Sequence, residues 1–319
     1  IITLPVTIDL MPPQIQITFG SVNNISPGGT GVVLYRVSKP VSVSGVRTEN
    51  RFFPGYATTV SGKPCMIAYF ALSMKARNGQ TPITVTASDT AGNTASVGLP
   101  SLILDKKFRS DKVNLSDTFL QKMGNFQVAH PELRSKAPID VFVVVNSKLR
   151  EENTRTIQDL CRKSEPKQLW EGTFLRMKNA SPMALFGDSR TYLYNGKPVG
   201  ESIHMGVDLA STAQAPIEAS NGGTVVFTGP VGIYGNIVII DHGFGVFSLY
   251  GHMSSISTKA GTSVKKGDVI GRSGATGFAG GDHLHFSILV GGEFVNPVEW
   301  WDAHWIADNV TKKLQAAAQ

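Results

Sequence analysis

Over its first hundred residues the chain runs in short stretches rich in β-branched side chains: Val6–Leu10, Gln14–Thr18, Gly31–Tyr35 and Pro82–Ala87. Turn-forming residues separate them, as in Ser26-Pro-Gly-Gly29 and Pro54-Gly55, so residues 1–101 are predicted to be an all-β module. The pattern then changes. Phe119, Leu120, Met123 and Phe126 recur at helical spacing behind Ser116, a predicted N-cap. Ile139–Val145 is an apolar run of β-prone residues, and Arg150–Lys163 is predicted helical with Ile157, Leu160 and Cys161 on one face. Residues 102–167 therefore form a mixed α/β linker or a strap packed on a neighbour. From about Gln168 the chain returns to short β-runs: Gly223–Phe227, Asn236–Ile240, Val246–Tyr250, Val269–Gly271 and His285–Leu289. Trp301, Trp305, Val310 and Leu314 fall near helical spacing, so residues 301–319 are predicted to form a terminal helix.

Glycine is what distinguishes the second β-region. Of 33 glycines, 18 lie between Gly206 and Gly292, a density that suits tight turns and close strand crossings in a small antiparallel sheet. The fold expected over residues 168–300 is thus a glycine-rich antiparallel β domain, and the whole chain is expected to be mainly β. In the first module, Thr84–Asn93 resembles the last hairpin of bacterial immunoglobulin-like domains, with Asp89 and Ala91-Gly-Asn93 forming its turn. That resemblance implies an Ig-like β-sandwich for residues 1–101, of the usual size.

Charge and composition narrow the partners. The net charge is +6, which suits an anionic partner such as nucleic acid, anionic lipid or a bacterial cell wall, or serves solubility alone. No Lys/Arg run interleaved with aromatics is present, so nucleic acid is not favoured. No stretch of 18 apolar residues exists, so no membrane span is expected. The chain opens at Ile1 without a methionine or charged leader, which fits removal of an export signal or anchor. Cys65 and Cys161 are too few for a disulfide framework or a thiolate metal site, and their redox state is left open.

The chemistry concentrates near the C-terminal end. Four of the seven histidines stand in three short segments, His204-Met-Gly-Val-Asp208, Tyr250-Gly-His252 and His283-Leu-His285. Neutral nitrogen donors with one carboxylate match a catalytic zinc site, which uses three protein ligands and keeps a fourth position for water. Strand alternation points His283 and His285 the same way while Leu284 faces the core. Gly206 lets His204 and Asp208 converge, and His252 stands where a strand meets a polar turn. Taken singly, each His-x-His or His-x-x-x-Asp is a common accident; together in this order they are specific. His242 is expected to be structural, His130 to lie at the surface and His304 in the tail helix. Arg190 is a candidate for orienting its loop or a substrate carboxylate, and Tyr250 and Tyr234 for lining the groove or packing in the core.

Residues from about Pro182 to Trp300 resemble the lysostaphin/LytM-type zinc metallopeptidases. The likeness rests on Phe186-Gly-Asp-Ser-Arg190, the three histidine segments, Ala219–Val225, Gly235–Gly243, Val264–Gly271, Ser273–Gly277 and Asn296-Pro297. It implies one zinc per chain held by His204, Asp208 and His285, with His252 and His283 acting on water and substrate. It also implies a cell-envelope enzyme, periplasmic or secreted, that cleaves peptidoglycan stem-peptide cross-links. Some relatives lack these residues and act as activators of other wall enzymes; all five are present here. The competing expectations are a non-catalytic adaptor and a secreted peptidase acting on glycine-rich proteins. Part of the segment Asp111–Lys163 is further expected to occlude the groove.

Overall fold

The computed structural model describes residues 9–18 and 23–316. The strand expected at Val6–Leu10 lies outside them but for its last two positions, which are not regular. The chain is mainly β. It divides into two compact units, Ile1–Asp105 with His304–Gln319, and Lys106–Ala303.

The first unit carries two four-stranded antiparallel sheets. One runs in the order Ile15–Ile17, Thr30–Val37, Lys63–Ala71, Tyr56–Val60; the other in the order Arg51–Pro54, Val43–Thr48, Ile83–Ser88, Thr94–Gly98. Tyr35 Oη meets Ser44 Oγ at 2.8 Å and Thr48 Oγ1 donates to Ala71 O at 3.2 Å, so buried hydroxyls join the two sheets. The core between them holds Val46, Phe53, Phe70 and Val85, each almost wholly buried. Asp89 turns the chain by accepting from the backbone amides of Ala91 (3.0 Å) and Asn93 (2.9 Å), an Asx-type turn. Of the two strands it joins, Thr94–Gly98 is at a sheet edge and Ile83–Ser88 is interior. The tail is helical from Ala303 to Ala316, broken by a π-turn at Ala307–Thr311. It buries Ile306, Val310 and Lys313 at i, i+4, i+7, a face that keeps Val310 of the expected set while Trp301, Trp305 and Leu314 are only half-buried.

The second unit is built on an eight-stranded sheet. Its main path runs Ser181–Ala184, Val207–Ala210, Leu284–Val290, Val246–Gly251, Asn236–Asp241, Gly223–Pro230, Ser263–Val264, with Glu293–Val295 pairing on Leu284–Val290. Leu284–Val290 is buried at every position, which explains why its sequence does not alternate in polarity. From Lys106 onward the stretch expected to be a linker belongs to this same unit. Ser110–Asn114 adds in parallel to Ser189–Tyr194. Ser116 caps the following helix by accepting from the Phe119 amide at 3.1 Å.

Ile139–Val145 is not a strand. Helix runs from Pro138 through a π-turn at Val145–Leu149 to Leu160. Pro138 sits at its first turn, where its missing N–H costs nothing, and Val141, Phe142, Val145, Asn146 and Leu149 are buried at helical spacing. Packing of that stripe overrides the β-preference of three consecutive valines, a preference worth only tenths of a kcal/mol per residue, roughly.

Candidate metal centre

Three adjacent strands bring the site together. Asp208 on Val207–Ala210 is directly opposite His285 on Leu284–Val290, and His285 is opposite Gly251 on Val246–Gly251. His204 lies four residues before Asp208, and His252 follows Gly251. The sheet register alone therefore aligns residues far apart in the chain. Gly206 is required by this closeness: a Cβ there would lie 2.6 Å from Phe286 O and 2.7 Å from His285 Cε1. His252 adopts a left-handed backbone with φ of 61°, uncommon for a side-chain-bearing residue, and this turns its ring out of the strand into the site.

The ligand atoms converge tightly. His204 Nε2 and His285 Nδ1 are 3.1 Å apart, and Asp208 Oδ1 is 3.0 Å from the first and 2.9 Å from the second. Around a tetrahedral zinc with bonds of about 2.0–2.1 Å, ligand atoms stand about 3.3 Å apart, so the cluster has the right size. The other nitrogen of each ring is already engaged. His204 Nδ1–H donates to Leu185 O (3.0 Å), and His285 Nε2–H donates to Ser287 Oγ (3.0 Å), whose hydroxyl donates to Met205 O (2.9 Å). In neutral rings those donors leave two lone pairs and a carboxylate oxygen facing one another in a buried pocket. That arrangement is repulsive unless a cation sits among them, and it is the arrangement of ligands oriented by outer hydrogen bonds. The donor set fits zinc.

His252 and His283 face each other across the same space, ring centroids 4.7 Å apart. His252 Nδ1–H donates to Thr276 O (2.8 Å) and His283 Nδ1–H to Gly281 O (2.8 Å), so each presents Nε2 to the cavity. His283 Nε2 stands 3.6 Å from Asp208 Oδ1. Burial opposes ionisation of the Asp208 carboxyl, yet the facing His204, His283 and His285 take it well below the usual carboxylate range. Burial pushes His285 down to about 4, and burial with the neighbouring imidazoles pushes His252 down to about 3, keeping both neutral. For His283 burial acts downward, but the Asp208 carboxylate outweighs it and the imidazole is raised.

A cavity of about 500 Å³ opens on these residues. Arg190 lines it, with Nη2 3.8 Å from Asp208 Oδ2. Tyr234 lines it too, its ring 5.4 Å from that of His285. Tyr250 does not. It is fully buried, with Oη bonded to the Ser220 amide (2.7 Å) and Oγ (2.7 Å) and to Ser248 Oγ (3.0 Å), so of its two expected places it takes the one in the core and not the one on the groove. His242 joins the same network: Nδ1–H donates to Gly222 O (2.6 Å) and Nε2 meets Ser248 Oγ (2.7 Å), the structural role expected. Both cysteines are buried free thiols.

Residues that the sequence did not single out complete the site. Ser287, two positions from His285 on the same strand face, was accessible to the alternation rule. The carbonyls of Leu185, Thr276 and Gly281 leave no trace in residue type. The opposite wall comes from Arg109–Phe119, Arg150 and Phe278.

Residues 202–297 match the sequence profile of peptidase family M23, a shorter span than the resemblance from Pro182. Over 122 residues the chain is 38% identical to the DD-carboxypeptidase/endopeptidase Mpg of Neisseria meningitidis serogroup B, a stretch covering 38% of this chain and 28% of that protein. Over 96 residues it is 40% identical to the peptidoglycan DD-endopeptidase ShyA of Vibrio cholerae, covering 30% of this chain and 22% of that protein. The matches thus span about a quarter of these relatives' length. A crystal structure from Pseudomonas aeruginosa, described as a candidate M23 peptidase, covers 87% of this chain and 95% of its own at 21% identity and a TM-score of 0.52, a likeness of fold. With its profile match and its buried His–Asp–His cluster, the segment 202–297 is a peptidase family M23 domain.

Proposed function

We propose that the protein is a zinc metalloendopeptidase of the bacterial cell envelope that hydrolyses peptide cross-links of peptidoglycan. The observation that carries this reading is the convergence of His204 Nε2, Asp208 Oδ1 and His285 Nδ1 within 3.1 Å, with His252 and His283 turned toward the same cavity. His204, Asp208 and His285 would hold one zinc ion. When bound, zinc supplies a Lewis acid and lowers the pKa of a bound water toward neutrality. Two neutral imidazoles and one carboxylate leave the centre with a net charge of about +1, which preserves that acidity.

The remaining work falls to the chain's own groups. Nε2 of one of His252 and His283 accepts a proton from the attacking water. The other, since its Nδ1–H is already bonded to a backbone carbonyl, donates to the scissile carbonyl through Nε2–H only when it carries a second proton, a state the raised imidazole of His283 favours. The backbone carbonyls of Thr276 and Gly281 fix both rings in the tautomer that leaves Nε2 toward the reaction. Arg190 stands beside the outer oxygen of Asp208 and restrains it. The relatives named for peptidoglycan endopeptidase activity support the substrate class, and the basic surface suits an anionic wall. The N-terminal strands read as an Ig-like module that spaces the domain or binds the wall, and residues between Arg109 and Phe119, with Arg150, wall the groove.

Digestion of purified sacculi by the full chain, with and without chelator, tests the reading. Chelator-sensitive release of cross-link fragments is expected. A protein that binds zinc stoichiometrically and releases nothing is an adaptor. Faster cleavage of Gly–Gly than of D-Ala–diaminopimelate bridges identifies a peptidase for glycine-rich substrates.

A further inference from the structure

Three arginines line the cavity, and two of them are taken. Arg109 holds Asp188 through Nε (2.9 Å to Oδ1) and Nη2, and Arg190 faces Asp208. The third is different. Among the described residues no carboxylate pairs with Arg150. Its Nη2 donates to Asn146 Oδ1 at 3.0 Å, its Cζ lies 5.8 Å over the Phe278 ring, and its Nε is buried without a partner. Asn146 in turn donates from Nδ2 to Glu201 O at 3.0 Å, so the residue that holds the guanidinium is itself fixed. Asn146 lies in the π-turn at Val145–Leu149 and Arg150 follows that turn directly, in a helix otherwise α-helical from Pro138 to Leu160. Such single π-turns concentrate at functional sites because they re-aim the side chains that follow. Arg150 also lies near the metal cluster: its charge acts on Tyr234, whose ring abuts that of His285.

We infer that Arg150 is a specificity-determining residue that receives a free carboxylate of the peptide substrate. Nε is covered, so the donors left for a ligand are on the terminal nitrogens; a fixed guanidinium can match a carboxylate through these by two parallel N–H···O bonds, whereas a lysine offers only a point charge. The remaining acids on the wall do not compete: Asp188 is held by Arg109, Asp208 by the histidines, and Asp111 is exposed. This inference rests on the peptidase reading for the nature of its ligand.

The test uses two synthetic peptides ending in D-Ala-D-Ala, identical but for a C-terminal carboxylate or carboxamide. Their affinities for full-length His283→Ala protein are measured by calorimetry, and their kcat/KM with the unmodified active site, each with and without Arg150→Met. The acid is expected to bind about 10- to 100-fold tighter than the amide, the range for a charge-assisted pair, and R150M should bring that ratio near one. Arg150→Lys should give an intermediate ratio, and it carries the test if R150M fails to fold. A merely structural arginine would shift both peptides equally and leave the ratio intact, which overturns the inference, as does equal affinity for acid and amide in the parent protein. Discrimination in binding with no hydrolysis of either peptide upholds Arg150, and the sacculus digestion then decides the endopeptidase reading separately.

Discussion

Ser287→Ala probes the proposed zinc site without touching a ligand. Ser287 is wholly buried and does two things: its Oγ accepts from His285 Nε2–H at 3.0 Å and donates to Met205 O at 2.9 Å. The substitution removes one heavy atom and introduces none, so no clash follows. It leaves a ring N–H and a carbonyl without their partner. Deprived of its acceptor, the imidazole is freer to rotate and to place its proton on Nδ1, the atom that faces the metal. Loss of an outer hydrogen bond of this kind costs about 10- to 100-fold in metal affinity, which is about 1.4–2.7 kcal/mol. The unsatisfied buried groups cost folding stability about 1–3 kcal/mol. Competition titration against a chromophoric chelator reads the affinity, and denaturant unfolding of the metal-free protein reads the stability separately. A zinc affinity within twofold of the parent, in a protein whose stability has fallen, would refute the claim that Ser287 orients His285.

His285→Ala should lose zinc and activity together, whereas His283→Ala should keep zinc and lose activity; near-normal zinc in the first sinks the ligand assignment. Gly206→Ala forces a Cβ to within 2.7 Å of His285 Cε1, so zinc affinity should fall at least tenfold, roughly, by displacement of that ring, and a titration matching the parent contradicts it. Phe278 sits among Phe119, Phe126 and Phe142 at 5.3, 6.2 and 5.8 Å, and Lys122 Nζ bonds the next two carbonyls of its loop (3.1 and 2.8 Å). Phe278→Ala should therefore cost about 2–3 kcal/mol in denaturant unfolding, less than for a fully buried ring, and unchanged stability would show that the helices do not hold the loop. Burial pushes His242 down to about 4, below its unfolded value of about 6.5. The unfolded chain then binds the extra proton between these values, so stability is full above pH 6.5, roughly, and falls by roughly 3 kcal/mol at most as pH drops toward 4. His242→Gln should flatten that slope in denaturation curves at pH 4.5 and 7; an identical slope refutes it.

Residue type and spacing carried the site's membership. A His-x-His at the start of a strand, a His and Asp flanking a glycine, and a histidine after a strand each obey local rules, and the rules act within a few residues. The same locality carried the Ser116 cap, the Asp89 turn and the glycine-rich strands. It failed where long-range packing outbid local preference. Val143-Val-Val145 favours a strand by itself, but Phe142 and its neighbours bury a helical stripe, and burial of several large side chains outweighs a propensity of tenths of a kcal/mol, roughly. For Tyr250, left between groove and core by its place beside Gly251 and His252, strand alternation decided for the core by turning it to the other side of the sheet.

What the chain's order by itself determined is which atoms are available as ligands and in which tautomerisable pairs they occur. What only the tertiary structure decided is their distance and orientation. The register Asp208–His285–Gly251 spans strands separated by dozens of residues and fixes three ligand atoms within 3.1 Å. Backbone carbonyls, identical in every residue, decide which ring nitrogen faces the cavity. And the wall that carries Arg150 comes from a helix outside the matched family span, brought to the groove by packing that no local pattern encodes.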